Sequence, residues 1–368
     1  MKLFCTQRDL DYAVNIVNKA ISPNNTLPVL NNILIKAEGK KLYFSSTNLE
    51  IAISCSIDAD VRGEGSITVP AKLLTSYVSL LTDEKVELSV VEGMSLAINS
   101  SSSHTKIKCI SADEFPLIPK VDKGQQFNVN IDDLYTAITE TVFAAASNTS
   151  RPILSGVLLL SKGDSLKLVS TDSYRLAEKT LKISNAPSED IYAVVPARTM
   201  TELSKIVSKA DAKEVKVNVS KNQILFSIEG IELISRLIEG KFPDYEKIIP
   251  KESKTNAEVS VEDLSLVLKR VSLFARENNN SVKLAVTNDG KMLISSEETK
   301  VGEEKAELLV KISGENNKIS LNSQYLLDVL TYIGEDKVVL FMNDKTSPAV
   351  IKPLKSEDYV YIIMPLKI

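Results

Sequence analysis

FCTQRDLDYAVNIVNKAI (Phe4–Ile21), FNVNIDDLYTAITETVFAA (Phe127–Ala145) and AEVSVEDLSLVLKRVSLFA (Ala257–Ala275) are three versions of one phrase. Each opens on a short alternating stretch, passes through an acidic residue followed by Leu, and continues with apolar residues at helical spacing, as Leu134, Ile138, Val142 and Ala145 do. The phrase predicts a strand running into an amphipathic helix. Its Asp-Leu pairs, at Asp9, Asp133 and Asp263, recur at the interval of a small domain, and an internal repeat of this kind decides the architecture ahead of any motif.

Roughly half a repeat later a second junction recurs: TVPAKLLTSYVSLL from Thr68, VVPARTMTELSKIV from Val194 and SLNSQYLLDVLTYI from Ser320. Pro70 and Pro196, with Asn322 in the third copy, fit the start of a helix, where a missing or capped N–H is tolerated. Each repeat therefore holds two helices. The stretches LYFSSTNLEIAIS, KVELSVVEGMSLAI, LKLVSTDSYRLAEK, EVKVNVSKNQILFSI and KVVLFMN carry period-two patterning broken by Gly, Asn or Asp turns, and read as strands.

Two Pro- and Lys-rich phrases, DEFPLIPKVDKGQQ and GKFPDYEKIIPKESKTN, mark the joins, giving domains at 1–120, 127–251 and 256–368. The predicted class is α+β, with three similar domains of two helices on antiparallel sheets. Stacked repeats turn by a constant rotation, and a head-to-tail contact that closes makes a ring.

Length and composition agree. At 368 residues the chain is too long for one ordinary core, since cores stop growing near roughly 250–300 residues. Its 43% hydrophobic and 25% charged residues are the balance of a globular protein. The opening MKLFCTQRDLDYAV puts Gln7, Arg8, Asp9 and Asp11 where a signal peptide needs its apolar run, so the expectation is a cytoplasmic protein with no membrane partner. Cys5, Cys55 and Cys109, odd in number and far apart, read as free thiols, not as a disulfide framework or metal site. A formal net charge of −4 argues against a protein that grips nucleic acid through overall positive charge, so any DNA association is local or topological.

Catalytic constellations are scarce. The one histidine, His104, sits in SSSSHTK and reads as a loop residue, which leaves no material for a histidine triad or a His-rich metal site. Neither GxxxxGK[ST] nor GxGxxG occurs after a strand. The acidic pairs Asp132-Asp133, Glu297-Glu298 and Glu303-Glu304 suit helix dipoles or solubility better than two-metal chemistry. Asp172 has no neighbouring base and reads as a turn residue. No cofactor, metal or catalytic residue is expected.

Over its whole length the chain resembles the beta subunit of bacterial DNA polymerase III, the sliding clamps. The resemblance rests on collinear landmarks: TLPVLNNILI from Thr26, VPAK from Val69, the FP at Phe115, RPILSGVLL from Arg151, STDSYRLA from Ser170, VPAR from Val195, GKFPDYEKIIP from Gly240, YLLDVL from Tyr325 and the terminus YVYIIMPLKI. Each is weak singly; in this order they are specific. The resemblance implies a homodimeric ring that encircles duplex DNA without reading sequence. A clamp loader would open it, and the replicative polymerase and repair polymerases would dock through short linear peptides. The alternative from another class is a repeat-built scaffold of the same fold that binds only proteins.

Carried over by motif, the peptide pocket would be walled by Leu154, Thr171, Tyr174, Arg175, Leu176, Pro243, Ile248, Ile362 and Met364. Aliphatics and Met make an adaptable cleft, with Tyr174 and Arg175 adding polar contacts. The plainer reading of Leu176, Ile248 and Ile362 is ordinary core, but the apolar terminus from Ile362 to Ile368 reads as a segment lying on a surface. Lys367 replaces the Arg of many relatives and lacks its planar fork.

The DNA-facing set would be Lys72, Arg151, Arg198, Lys205, Lys209, Lys269 and Arg270, with Asn148 beside them. Acidic residues are about as numerous on the same helices, so a solvated charged face is the competing reading. A relative with Arg at the place of Asn24 and a tyrosine pair at Pro152-Ile153 has more to offer DNA, and direct duplex contact is expected to be weak here. At the ring joint, Leu273 and Phe274 would bury against the region from Lys72 to Leu81 of a second copy, or else belong to their own core.

Overall fold

In the computed structural model, which describes every residue except 23–26, 122, 148–149, 301 and 367–368, the described residues form six α-helices. They are α1 (Gln7–Val17), α2 (Ala71–Val78), α3 (Ile131–Thr141), α4 (Ala197–Val207), α5 (Val261–Ala275) and α6 (Ser323–Tyr332), two per repeat as the phrases predict. The odd-numbered helices follow directly on strands Lys2–Thr6, Gln125–Asn130 and Thr255–Ser260. Thr6 caps α1 by accepting from the Asp9 N–H at 3.1 Å, and Ser260 caps α5 by accepting from the Asp263 N–H at 3.3 Å. The acidic residue of the phrase thus sits in the first turn, where the helix dipole favours it. Pro70 is the N-cap of α2; Asn322 caps α6, accepting from the N–H groups of Gln324 and Tyr325.

The strands gather into two compact units, and the second repeat contributes to both. In the unit made of 1–132, 184–189 and 202–237, one antiparallel sheet runs Gly65–Pro70, Asn32–Glu38, Lys41–Thr47, Ile51–Asp58, Ile231–Arg236, Gln223–Ile228, Glu214–Val219, Gln125–Asn130. A second sheet runs Asp60–Gly63, Lys2–Thr6, Lys85–Val91, Ser95–Asn99, His104–Lys108. Leu10, Val14 and Val17 of α1 are fully buried against the Lys41–Thr47 and Ile51–Asp58 strands. Burial of this kind contributes about 1.5–3 kcal/mol per large aliphatic.

In the other unit, made of 133–183, 190–201 and 238–368, a long sheet runs Tyr192–Pro196, Gly156–Lys162, Ser165–Thr171, Arg175–Ser184, Tyr359–Ile363, Ala349–Pro353, Lys337–Met342, Thr255–Ser260. A four-stranded sheet runs Lys305–Leu309, Lys291–Ser296, Ser281–Thr287, Asn317–Asn322. Leu264, Leu268 and Val271 of α5 share one core with Leu284, Ile294 and Leu321 of that sheet and with Leu326 and Val329 of α6.

Two seams of strand pairing are equivalent. Ile51–Asp58 of the first repeat pairs with Ile231–Arg236 of the second, Ile51 facing Ser235 and Cys55 facing Ile231. Arg175–Ser184 of the second repeat pairs with Tyr359–Ile363 of the third, Arg175 facing Ile363 and Lys179 facing Tyr359. The compact units therefore do not follow the repeat boundaries, because each seam is a run of main-chain hydrogen bonds and not a loose linker.

Candidate peptide and DNA interfaces

The loop between strands Ser165–Thr171 and Arg175–Ser184 is built by two side chains. Asp172 Oδ1 accepts from the N–H groups of Tyr174 at 2.9 Å and Arg175 at 3.0 Å, which bears out its reading as a turn residue. The Thr171 hydroxyl donates to the Arg175 carbonyl at 2.6 Å and accepts from the Ser173 N–H at 3.2 Å, with Ser173 held at φ 81°. This fold-back drives Tyr174 outward, 63% exposed, and Arg175 inward.

Arg175 takes a different part from the one read in the sequence. Its Nε donates to Asp172 at 3.0 Å, Nη2 donates to the Phe143 carbonyl at 2.8 Å, and Nη1 donates to Asp328 of α6. The guanidinium also lies 4.5 Å from the Tyr325 ring centroid and 5.6 Å from that of Phe143. Burial alone would lower its pKa; Tyr361, Asp328 and Asp172 together hold it above the ordinary arginine value. The group is a largely buried clamp, and its polar atoms face its own chain. Sequence reading missed Phe143, Tyr325 and Asp328, which lie far from Arg175 in the chain; only the YLLDVL phrase pointed to two of them.

The C-terminal segment lies on this loop. The Met364 N–H donates to the Tyr174 carbonyl at 2.8 Å and the Leu366 N–H to the Ser320 carbonyl at 2.9 Å. Lys367 lies outside the described residues. Leu176 and Ile362 are fully buried in a core with Leu158, Val169, Phe242 and Tyr245, and Leu154 is buried too. The plain core reading fits Leu176 and Ile362, which with Leu154 offer no surface, and does not fit the exposed Ile248. Thr171 is buried by its loop duties. The surface left for a ligand is Tyr174, Pro243, Ile248 at 40% exposure, and half-buried Met364. Beside Met364 a cleft continues between Ile319, Lys345, Thr346 and Leu366, none of which the sequence reading named.

The cationic residues divide. Lys72 on α2, Arg198 on α4 and Lys269 and Arg270 on α5 are exposed, as is Arg151 just before the short turn Pro152–Ser155. Lys205 pairs with Glu202 at 2.9 Å and Arg270 with Glu304 at 3.4 Å, so both carry a local counter-charge. Lys209 lies past the end of α4 and not on a helix. Asn148 and Asn24 lie outside the described residues. Lys19 is an addition: burial first, then Lys205 and Lys209 nearby, lower its pKa against the pull of Glu202, which makes it part of one cationic group. At the expected joint, Leu273 is 56% exposed and Phe274 half-buried on α5, and Leu73 and Leu80 are 54% and 80% exposed at α2 and just beyond.

His104 is the exposed first residue of the edge strand His104–Lys108, not a loop residue. Cys5 and Cys55 are buried free thiols, each pushed up to about 12 by burial, with Asp9 adding to the effect at Cys5. No helix among the described residues is long and apolar enough to cross a membrane.

Models of the three domains of the DNA polymerase III beta subunit match in order: N-terminal domain over residues 1–119, central domain over 128–244 and C-terminal domain over 246–367. The chain belongs to the beta sliding clamp family. It is 31% identical to the beta sliding clamp of Staphylococcus epidermidis, 97% of each chain being covered, and 31% identical to that of Synechocystis over the full length of both. The crystal structure of the Thermotoga maritima DNA polymerase III beta subunit superposes with a TM-score of 0.94 at 30% identity, covering 100% of this chain and 99% of that one. The fold is thus the three-domain clamp fold, and the chain is a processivity clamp of DNA polymerase III, an accessory factor and not a catalytic enzyme.

Proposed function

We propose that two copies close head to tail into a cytoplasmic ring of six similar domains, divided at 1–120, 127–251 and 256–368. The ring holds duplex DNA by enclosure, after a loader opens it, and tethers polymerases by their peptides at the surface around Tyr174, Pro243, Ile248 and Met364. Direct phosphate contact comes from Lys72, Arg151, Arg198, Lys209 and Lys269, with Lys205 and Arg270 shared with acidic neighbours.

One observation carries the ring. At both seams the outer strand of one repeat's helix-linked sheet pairs with the last strand of the next repeat. Among the described residues, one edge of each type is left over: Lys305–Leu309 in the third repeat and His104–Lys108 in the first. Unpaired edges are templates for strand addition, and a second copy supplies the matching edge. The exposed side chains of Leu273 and Leu309, 56% and 85%, flank one edge; Leu73 and Leu80 belong to the repeat that carries the other.

The test is mass by light scattering, together with retention on circular and linearised DNA at moderate salt with a loader present. A dimer that stays on circles and runs off cut ends is the expected result. A monomer, or equal retention on both DNAs, overturns the ring and returns the chain to a protein-binding scaffold.

A further inference from the structure

The loop that throws out Tyr174 has a twin. Between strands Lys41–Thr47 and Ile51–Asp58, the Thr47 hydroxyl donates to the Ile51 carbonyl at 2.9 Å and accepts from the Leu49 N–H at 3.0 Å. Asn48 Oδ1 accepts from the N–H groups of Glu50 at 3.0 Å and Ile51 at 2.8 Å. The seam strand leaves in the same way: the Arg236 N–H donates to the Glu50 carbonyl at 3.0 Å, as that of Met364 does to Tyr174. The first seam thus repeats, bond for bond, the frame that carries the Tyr174–Met364 surface at the second.

Beside the twin loop runs a groove floored by Ile51, Ala52 and Ile234 and walled by Leu49, Pro116 and Leu117, with Thr47, Glu50 and Gln223 also in its lining. Two of these residues are out of place in a finished surface. Leu117 is 97% exposed. Leu49 is 49% exposed at φ 74°, a conformation that strains a side chain larger than Gly, and its burial is too slight to offset the strain. Ser173 takes the same conformation in the twin, so the loop's own hydrogen bonds impose it, and at the first seam it sets an aliphatic side chain beside the groove. At the groove's end stands Arg236, exposed and without an ion pair among the described residues, where the second seam has Met364.

We propose that this groove is a second docking site, for a short extended peptide of a partner protein that carries a leucine-sized aliphatic residue with a carboxylate beside it. The aliphatic part of the lining takes an aliphatic anchor, and Arg236 at the groove's end takes the carboxylate as a charge-assisted pair. The inference rests on the reading of the Tyr174–Met364 surface as a peptide site, since it argues from the shared frame.

The full-length protein is titrated calorimetrically with the peptide acetyl-Gly-Ser-Leu-Glu-Leu-Ser-amide. The variants are Leu117→Glu, Arg236→Glu, Leu49→Gly and, at the other surface, Met364→Glu. The first two change exposed side chains, and Leu49→Gly relieves the strained φ, so each keeps the fold. Expected are two bound peptides per chain, one weakened at least tenfold by each of the first three variants and untouched by Met364→Glu, with Leu49→Gly also raising the melting temperature. One bound peptide, lost in Met364→Glu and indifferent to the first-seam variants, overturns the second site and leaves the first. Loss of binding in the first-seam variants alone keeps the second site and overturns the reading of the first. No binding at all overturns the proposal for this ligand class.

Discussion

Arg175 and Asp328, far apart in the chain, meet where the guanidinium Nη1 donates to the Asp328 carboxylate, beneath the surface that bears Tyr174. Their side chains are only 12% and 24% exposed, so the pair is little screened. Removing a partner from a charged hydrogen bond of this kind costs about 1.5–3 kcal/mol. Asp328→Ala is therefore expected to lower the unfolding free energy by that amount, read as a lower denaturant midpoint at unchanged slope, and to weaken peptide binding at Met364. An unchanged midpoint would show that Asp172 and the Phe143 carbonyl suffice to hold Arg175.

Leu309→Asp combined with Leu273→Asp places carboxylates on the unpaired edge strand and the neighbouring helix. Both side chains are largely exposed in the single chain, so the stability of the chain itself is expected to stay within about 0.5 kcal/mol. Light scattering should report the monomer mass, and retention on circular DNA should vanish with it. A variant that remains dimeric would place the joint elsewhere.

Burial favours the neutral form of the Cys5 and Cys55 thiols, whose folded pKa of about 12 lies above the ordinary 9.0. A raised pKa stabilises the fold fully below the unfolded value and is lost as pH climbs through the folded one, so this contribution is present at neutral pH and disappears between 9.0 and about 12. Maleimide at pH 8 should modify at most the half-buried Cys109 in the native protein, and all three thiols in denaturant. Native labelling of Cys55 would contradict the closure of the α1 core.

Lys19, Lys205 and Lys209 share one field. If they face phosphates, replacing all three by Ala should reduce the slope of log affinity against log salt by roughly 0.9 for each contact removed. Retention of the closed ring on circular DNA should be unchanged, since enclosure does not depend on them. A slope equal to that of the parent protein would mark them as solvated bystanders.

The helices and their order were legible because Leu10, Leu134 and Leu264 recur at the same point of the same phrase, and period and capping chemistry are local properties. The seams were not. That Ile231–Arg236 pairs with Ile51–Asp58 depends on where two distant edges arrive in space, and alternating strands look alike wherever they pair. The proposed peptide surface could be drawn from the sequence as a set of positions and not as roles. Leu176 and Ile362 proved to be floor and Arg175 a clamp, because residue type says nothing about which face of a strand is covered. Leu117, in the join DEFPLIPKVDKGQQ, stands in solvent, and its residue type alone did not mark it as a surface position.

The seams have a bearing on heredity. Their bonds run between peptide groups, and every residue but proline supplies the same peptide donor and acceptor. Selection on the joints therefore falls on strand length, on the exclusion of proline and, because most side chains along them are buried, on apolar character and size more than on identity. A chain sharing 30% of its residues with the Thermotoga maritima protein can in this way keep the same backbone to a TM-score of 0.94. The strand pairing at these joints is carried by their amides, while the buried side chains beside them can be exchanged for others of like size and polarity.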